Sequence, residues 1–376
     1  MKITIVLGAF FPVPPVMGGA VEKVWLALAR EFVRHGHEVT LISRAFATLP
    51  KTEMLDGVRH LRVKGFDSPA SLLWLKILDL IYSWRVRSIL KPADLIVTNT
   101  FWLPILLRNA RYGALYVHVA RFPKRQMRLY RHAARLQTPS NDVARAIEKE
   151  VPDRAERIRV IPNPLTAPAE GIPPRLSARD KIVLYVGRLH PEKGVHLLVH
   201  AFAHLAGDKE EGWRLVVVGP AEAKFGGGGE PYLQQLKEAA ANAGDRIEFR
   251  GAIFDDAALM QEYRRARLFV YPSLAETGES FGLAPLEAMA HGCAVLVSGL
   301  SCFHDFIQDG ATGFSFDHRA PVPEDALRDR LRALMRDEAL LEHVSAAGRE
   351  VAAGFSITRV ADQFLADFDA VVRARG

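Results

Sequence analysis

The chain of 376 residues has only two cysteines, Cys293 and Cys302. Two are too few for a disulfide framework, and their spacing suits no zinc site. That leaves packing in a reducing compartment as their role. No run of eighteen uncharged apolar residues occurs, so no membrane-spanning helix is expected. The opening MKITIVLGAF lacks a small-residue cleavage site and reads as a first strand rather than a secretory signal. The expected location is cytoplasmic, with a peripheral hold on the inner membrane face left open. G-x-G-x-x-G is missing after the first strand, which excludes the dinucleotide fingerprint. G-x4-G-K-[ST] is missing as well, which excludes a P-loop.

Apolar residues make up 49% and charged residues 24% of the chain, as in a water-soluble globular protein. The length exceeds one compact core and suits two domains. The net charge of +6 hides an asymmetry. Residues 1–164 carry 26 Lys and Arg against 13 Asp and Glu, a balance of +13, which leaves −7 for residues 165–376. A basic half points to an anionic partner, be it a lipid surface, a phosphorylated acceptor or nucleic acid. No recognisable nucleic-acid module occurs, so nucleic acid is not expected.

The first half alternates strands and helices. Lys2 to Leu7 reads as a strand, followed by a Pro-rich loop, then Gly18 and Gly19 before a helix over Ala20 to His35 that Gly36 ends. Glu38 to Ser43 is the next strand. This βαβ unit predicts a parallel sheet with the loop at its carboxyl edge, where ligands bind in such folds. Leu72 to Leu90 predicts an amphipathic helix, either an ordinary domain helix, the preferred reading, or an interfacial one with Trp and Arg at a lipid surface. Asp94–Thr98 and Leu115–Val119 are further strands, and His118 stands at the end of the second. A histidine there is more often packed than catalytic, yet it lies at the edge where ligands bind. Arg121, Lys124, Arg125, Arg128, Arg131 and Arg135 follow without an acid, either as a solvated helix face or as a patch for an anionic acceptor or membrane. Leu165 to Asp180 is the expected linker.

The second half restarts the pattern. Lys181–Val186 reads as a strand, then comes the loop Gly187-Arg188-Leu-His-Pro-Glu-Lys193-Gly194, then a helix. Two cations at a helix start make a cradle for a diphosphate. Further strands end at Gly219 and before Gly251-Ala-Ile253, and Gly226 to Gly229 read as a flexible loop. Tyr271 to Val297 carries the densest signal. A strand ends at Tyr271-Pro-Ser, a polar loop holds Glu279, and a helix around Pro285 holds Glu287 seven residues further on. Phe281, Gly282, Leu283 and Ala284 lie between them and offer backbone N–H groups at a helix start, where anions are favoured. Read alone, Glu279 would be a loop acid and Glu287 a surface residue. The apolar neighbours of Glu287 instead predict partial burial and a partner.

The stretch from Glu279 to Gly292, ESFGLAPLEAMAHG, resembles the E-x7-E motif of retaining GT-B glycosyltransferases of family 4. Gly187-Arg-x4-Lys-Gly194 resembles that family's phosphate loop, and Asp309-Gly-x-x-Gly313 its later turn. Pro164 stands where the family has a glycine. The resemblance implies an α/β GT-B fold, two Rossmann-like domains with parallel sheets facing across a cleft. An acceptor-binding domain would span 1–164, a nucleotide-sugar domain 165–356, and the helix 357–376 would cross back. It implies a hexose moved, with retention, from a nucleotide-diphosphate sugar to a glycan or an anionic lipid-linked acceptor, in cell-surface polysaccharide or glycolipid synthesis. Glu279 would hold the sugar and Glu287 the ribose, while Arg188 and Lys193 would neutralise the leaving diphosphate. Ile253 would lie at the base. His118 and Gly18–Gly19 would arrange the reacting face and the acceptor. No cofactor and no metal is expected, since two cations serve and no Asp-x-Asp motif lies near the site. The competing readings are a sugar-nucleotide epimerase, a phosphorylase, and a non-enzymatic basic binding protein.

Overall fold

The computed structural model describes residues 1–17, 19–46, 49–69, 71–166, 171, 173–205 and 212–375. It divides into two compact units, Met1–Thr166 with Phe355–Gly376, and Ala167–Gly354. In the N-terminal unit the elements run β1 (Lys2–Val6), α1 (Ala20–Arg34), β2 (Glu38–Arg44), β3 (Thr52–Leu55), β4 (Val58–Val63), α2 (Leu72–Ile89), β5 (Leu95–Thr98), α3 (Leu103–Leu106), β6 (Ala114–His118), β7 (Arg135–Thr138), α4 (Asn141–Glu150) and β8 (Ile158–Val160). They form one sheet in the order β3-β4-β2-β1-β5-β6-β7-β8. Every described pair is parallel except β3 on β4, which closes that edge antiparallel. The central strands are buried along their length, as their near-continuous Ile, Leu and Val content requires with helices on both faces. α4 begins where the Ser140 hydroxyl accepts the Val143 N–H at 3.3 Å.

The C-terminal unit runs β9 (Asp180–Val186), α5 (Val195–Leu205), β10 (Arg214–Val218), α6 (Gly229–Ala240), β11 (Ile247–Gly251), α7 (Asp256–Arg265), β12 (Ala266–Tyr271), α8 (Leu283–Ala290), β13 (Ala294–Ser298), β14 (Phe314–Phe316), α9 (Pro323–Arg336) and α10 (Glu338–Ala353). Its sheet is parallel throughout the described pairs, in the order β11-β10-β9-β12-β13-β14. The last helix, α11 (Ile357–Arg373), packs on α1 in the N-terminal unit. There Phe364 and Phe368 meet Trp25, Phe32 and Tyr116 edge to face or tilted. The Tyr116 hydroxyl donates to Asp367 at 2.8 Å, and Arg135 pairs with the same carboxylate.

Three expectations are corrected. Of the two readings of the basic run, the helix face does not form: Arg135 opens β7, and from Arg121 to Arg131 the chain is loop with one short 3-10 turn, Gln126–Leu129, entered through Arg125 at φ 68°. The carboxylate of Glu150 fixes it by accepting the N–H groups of Arg125 and Met127. The linker is shorter than Leu165–Asp180. Arg179 is buried and donates to the carbonyls of Pro174, Ala266 and His291, so the chain around it is packed against the second unit. Gly226–Gly229 is a closely fitted turn: Gly228 N–H donates to Leu189 O at 2.7 Å, and a Cβ on Gly227 would sit 2.2 Å from Ala221 O.

Candidate active site

In the C-terminal sheet the connections after β9 lead outward to β10 and β11, and those after β12 lead to β13 and β14 on the other side. The order reverses between β9 and β12, and the carboxyl ends of strands flanking such a reversal are where open α/β sheets bind ligands. β9 ends at Val186 and continues into Gly187 and Arg188, while β12 ends at Tyr271 and continues into the loop with Glu279. The two loops are tied together. Leu274 N–H donates to Glu192 O at 2.8 Å, and the Ser298 hydroxyl holds Ser273 O at 2.6 Å.

Gly194 is where the loops come closest. Its φ is +66°, and a Cβ would lie 1.9 Å from Pro272 O, so only glycine fits. Gly219, at the end of β10, is likewise obligatory: its φ is +149° and a Cβ would meet Gly187 O at 1.8 Å. A Cβ on Gly187 itself would crowd the Tyr185 hydroxyl at 2.7 Å. Ile253 follows β11, half-buried in loop.

At the centre Lys193 Nζ donates to Glu279 Oε2 at 2.7 Å, with the two side chains 8% and 11% exposed. The hydroxyls of Tyr271 and Ser273 also donate to Oε2, at 3.1 and 3.3 Å. Three donors on one oxygen hold Glu279 as a fixed acceptor. The Lys193 ammonium lies 5.7 Å from the centre of the Tyr271 ring, which stacks on Tyr185. Burial and the Glu279 charge push the Tyr271 phenol well above its ordinary value, so it stays a donor. Arg188 lies at the half-exposed rim and donates to Gly226 O at 2.8 Å and to Glu192 at 2.9 Å. Beyond Glu279, Phe281 is buried against Phe306, and Gly282 at φ +91° precedes α8. Leu283 and Ala284 stand in the first turn of α8, half-buried, with N–H groups that have no acceptor within the helix. Glu287, one turn on, is half-buried and accepts from the Tyr263 hydroxyl at 3.1 Å.

His118 belongs to the N-terminal unit. It is buried, edge-on to Trp25 at 5.2 Å. Gln137 Nε2 donates to Ile161 O, so its Oε1 faces the imidazole and accepts from His118 Nδ1 at 2.6 Å. That assignment leaves Nε2 as an acceptor. Burial pulls the imidazole down to about 4, and the hydrogen bond it donates to Gln137 opposes this only in part. Gly18 lies outside the described residues. Gly19, at φ +110°, precedes α1, and a Cβ there would strike the Glu22 carboxylate at 2.3 Å.

The structure thus groups Arg188, Lys193 and Glu279 around Tyr271 and Ser273. The first three carry motif signals, whereas Tyr271 and Ser273 read in the sequence only as a strand end and a turn. Glu22 also escaped sequence reading. It is a buried acid in the first turn of α1, held above its ordinary range by burial, with its own backbone N–H and Arg121 opposing. An acid in a first helical turn was the only available sign.

The family model described as glycosyl transferases group 1 matches residues 172–351, and that described as glycosyltransferase family 4 matches 17–166. The lipopolysaccharide 1,2-N-acetylglucosaminetransferase of Salmonella typhimurium is 25% identical over 96% of this chain and 97% of its own. The phosphatidyl-myo-inositol mannosyltransferase of Mycobacterium leprae is 31% identical over 56% of this chain, and the match spans about half (53%) of that relative. Among solved structures, a sucrose-phosphate synthase from Thermosynechococcus elongatus superposes with a TM-score of 0.81 at 20% identity, covering 100% of both chains. The HepE protein of Anabaena, in complex with UDP and glucose, gives 0.71 at 20% identity over 98% of this chain and 99% of its own. The chain belongs to the group 1 glycosyl transferases and is a hexosyltransferase of GT-B fold.

Proposed function

We propose that the enzyme moves a hexose from a nucleoside-diphosphate sugar to a glycan or an anionic lipid-linked acceptor, with retention and without a metal. The C-terminal unit takes the donor and the N-terminal unit the acceptor. The observation that carries the reading is the Lys193–Glu279 pair, fixed by Tyr271 and Ser273 at the strand-order reversal. Glu279 accepts hydroxyls of the sugar. Lys193, Arg188 and the first turn of α8 meet the charge that grows on the leaving diphosphate, the kind of term that dominates transfer chemistry. Glu287 takes the ribose hydroxyls. Gly187 and Gly219 let the backbone approach the phosphates, and the loop at Ile253 takes the base. His118 and the turn at Gly19 serve the acceptor. The attacking hydroxyl enters on the face the diphosphate leaves, its proton passing to the departing phosphate oxygen, so the anomeric configuration is kept. Support for a UDP-type donor comes from the HepE neighbour, whose complex contains UDP and glucose. Support for a cell-envelope polysaccharide or glycolipid product comes from the lipopolysaccharide and phosphatidylinositol transferases among the relatives.

The test is a panel of nucleotide sugars in EDTA, read as released nucleoside diphosphate, with the product anomer assigned by NMR. One donor turned over with its anomeric configuration kept is the expected result. An inverted product, or turnover that EDTA abolishes, would overturn the mechanism.

A further inference from the structure

Helix α2 carries apolar residues on its outward face as well as its inward one. Asp79, Tyr82, Ser83 and Val86 face the unit, while Leu73, Ile77, Leu80, Ile81 and Trp84 are exposed. The outward set recurs at i, i+4, i+7, i+8 and i+11, a single apolar stripe pointed at solvent where a domain helix places its polar face. Leu72, Trp74 and Ile89 widen it, with Trp74 57% and Trp84 66% exposed. On the inward face Tyr82 and Val86 join the core of the unit, and the Tyr82 hydroxyl is buried there without a partner. Asp79 accepts the N–H groups of Phe101 and Trp102 at 3.1 Å each, which locks the helix in this orientation. An exposed contiguous apolar patch of this kind marks a docking surface.

Charge identifies the occupant. Lys76, Arg87 and Lys91 are exposed on or just beyond the helix, and Arg87 reaches the Tyr112 hydroxyl that Arg111 also holds. Between Asp67 and Asp94 the one acid is the buried Asp79. A second copy of this chain docked through a two-fold axis would set these cations against themselves. An anionic bilayer meets them with opposite charge, and Trp and Leu enter the headgroup boundary beneath. Among the described residues no helix is long and apolar enough to cross a membrane. We propose that α2 lies flat on an anionic membrane surface, its apolar stripe inserted and its cations on lipid phosphates, and holds the N-terminal unit there. This stands apart from the donor reading, which concerns the other unit.

The experiment is flotation of the full chain with vesicles of phosphatidylcholine containing ~30% phosphatidylglycerol, against phosphatidylcholine alone. The wild type floats with the anionic vesicles, with blue-shifted tryptophan emission. The triple variant Leu73→Ser, Ile77→Ser, Trp84→Ser loses at least about tenfold in partition, and Lys76→Glu with Arg87→Glu loses binding to the anionic vesicles. Melting curves and circular dichroism, measured beside each, report that the variants are folded. The rival patch is neutralised in Arg125→Gln, Arg128→Gln, Arg131→Gln. Loss of flotation there with retention in the α2 variants overturns the proposal. So does a wild-type chain that ignores vesicles and sediments as a dimer that the triple variant dissociates.

Discussion

At the scale of single residues, two buried titratable groups make opposite statements about pH. His118 is held neutral, its imidazole drawn down to about 4 by burial. A group depressed in the fold contributes stability that is full above its unfolded value near 6.5 and is lost as pH falls through about 4. No step served by His118 then titrates through it between pH 5 and 8. The His118 ring resonance should stay in its neutral position across that range in an NMR titration, and a midpoint near 6.5 would contradict its burial. Asp79 runs the other way, pushed up to about 6 by burial despite its two backbone donors. Its contribution is full below the unfolded value near 3.8 and lost as pH rises through about 6. Asp79→Asn lacks that loss, so its stability relative to wild type should rise from pH 4 to pH 7 by about 2 kcal/mol, read from denaturant midpoints. A pH-independent difference would refute the assignment. Arg188, Lys193, Glu279 and Glu287 were legible because charged residues at fixed spacing carry a motif. Tyr271 and Ser273 were not, because an aromatic at a strand end and a serine in a turn look alike whether they pack or bind. Only the fold reveals that their hydroxyls converge on one carboxylate oxygen.

At the scale of elements, the site depends on the contact between the loops after β9 and β12. Gly194→Ala forces a Cβ against Pro272 O at a left-handed φ. The variant should lower the melting midpoint by roughly 5 °C and weaken nucleoside diphosphate binding, as scanned calorimetry and titration would read; an unchanged midpoint would show that the loops part freely. Helices and strands themselves were largely readable, because βα repetition and apolar periodicity locate them. The orientation of α2 was not. Periodicity finds an amphipathic helix but does not say which face turns inward, and here the face with Asp79, Tyr82 and Val86 does, Asp79 holding the loop before α3. Strands β3 and β4 went unread since Thr52–Leu55 and Val58–Val63 are short and interrupted by charged residues, β3 lying at the edge and β4 beside it. The Arg121–Arg135 run spaces its cations like one face of a helix, yet it takes its shape from Glu150, a contact twenty-odd residues away that local pattern cannot supply.

At the scale of the molecule, two parallel-sheet units carry opposite charge balances, +13 over residues 1–164 and −7 over the rest. The N-terminal unit is completed by α11 from the far end of the chain, whose Phe364 and Phe368 are buried in it. Its basic character and the outward stripe of α2 suit an anionic surface. The acidic C-terminal unit sets Arg188 and Lys193 on the loop at one strand-order reversal, and the proposed grip on a diphosphate rests there. The most direct measurement is isothermal calorimetry of UDP, GDP and ADP with the full chain in EDTA, beside Arg188→Ala and Lys193→Met, with melting curves to verify folding. Binding of one diphosphate by the wild type, weakened at least about tenfold in each variant, is the expected result. Equal affinity in wild type and both folded variants would contradict the claim that these two cations grip the diphosphate.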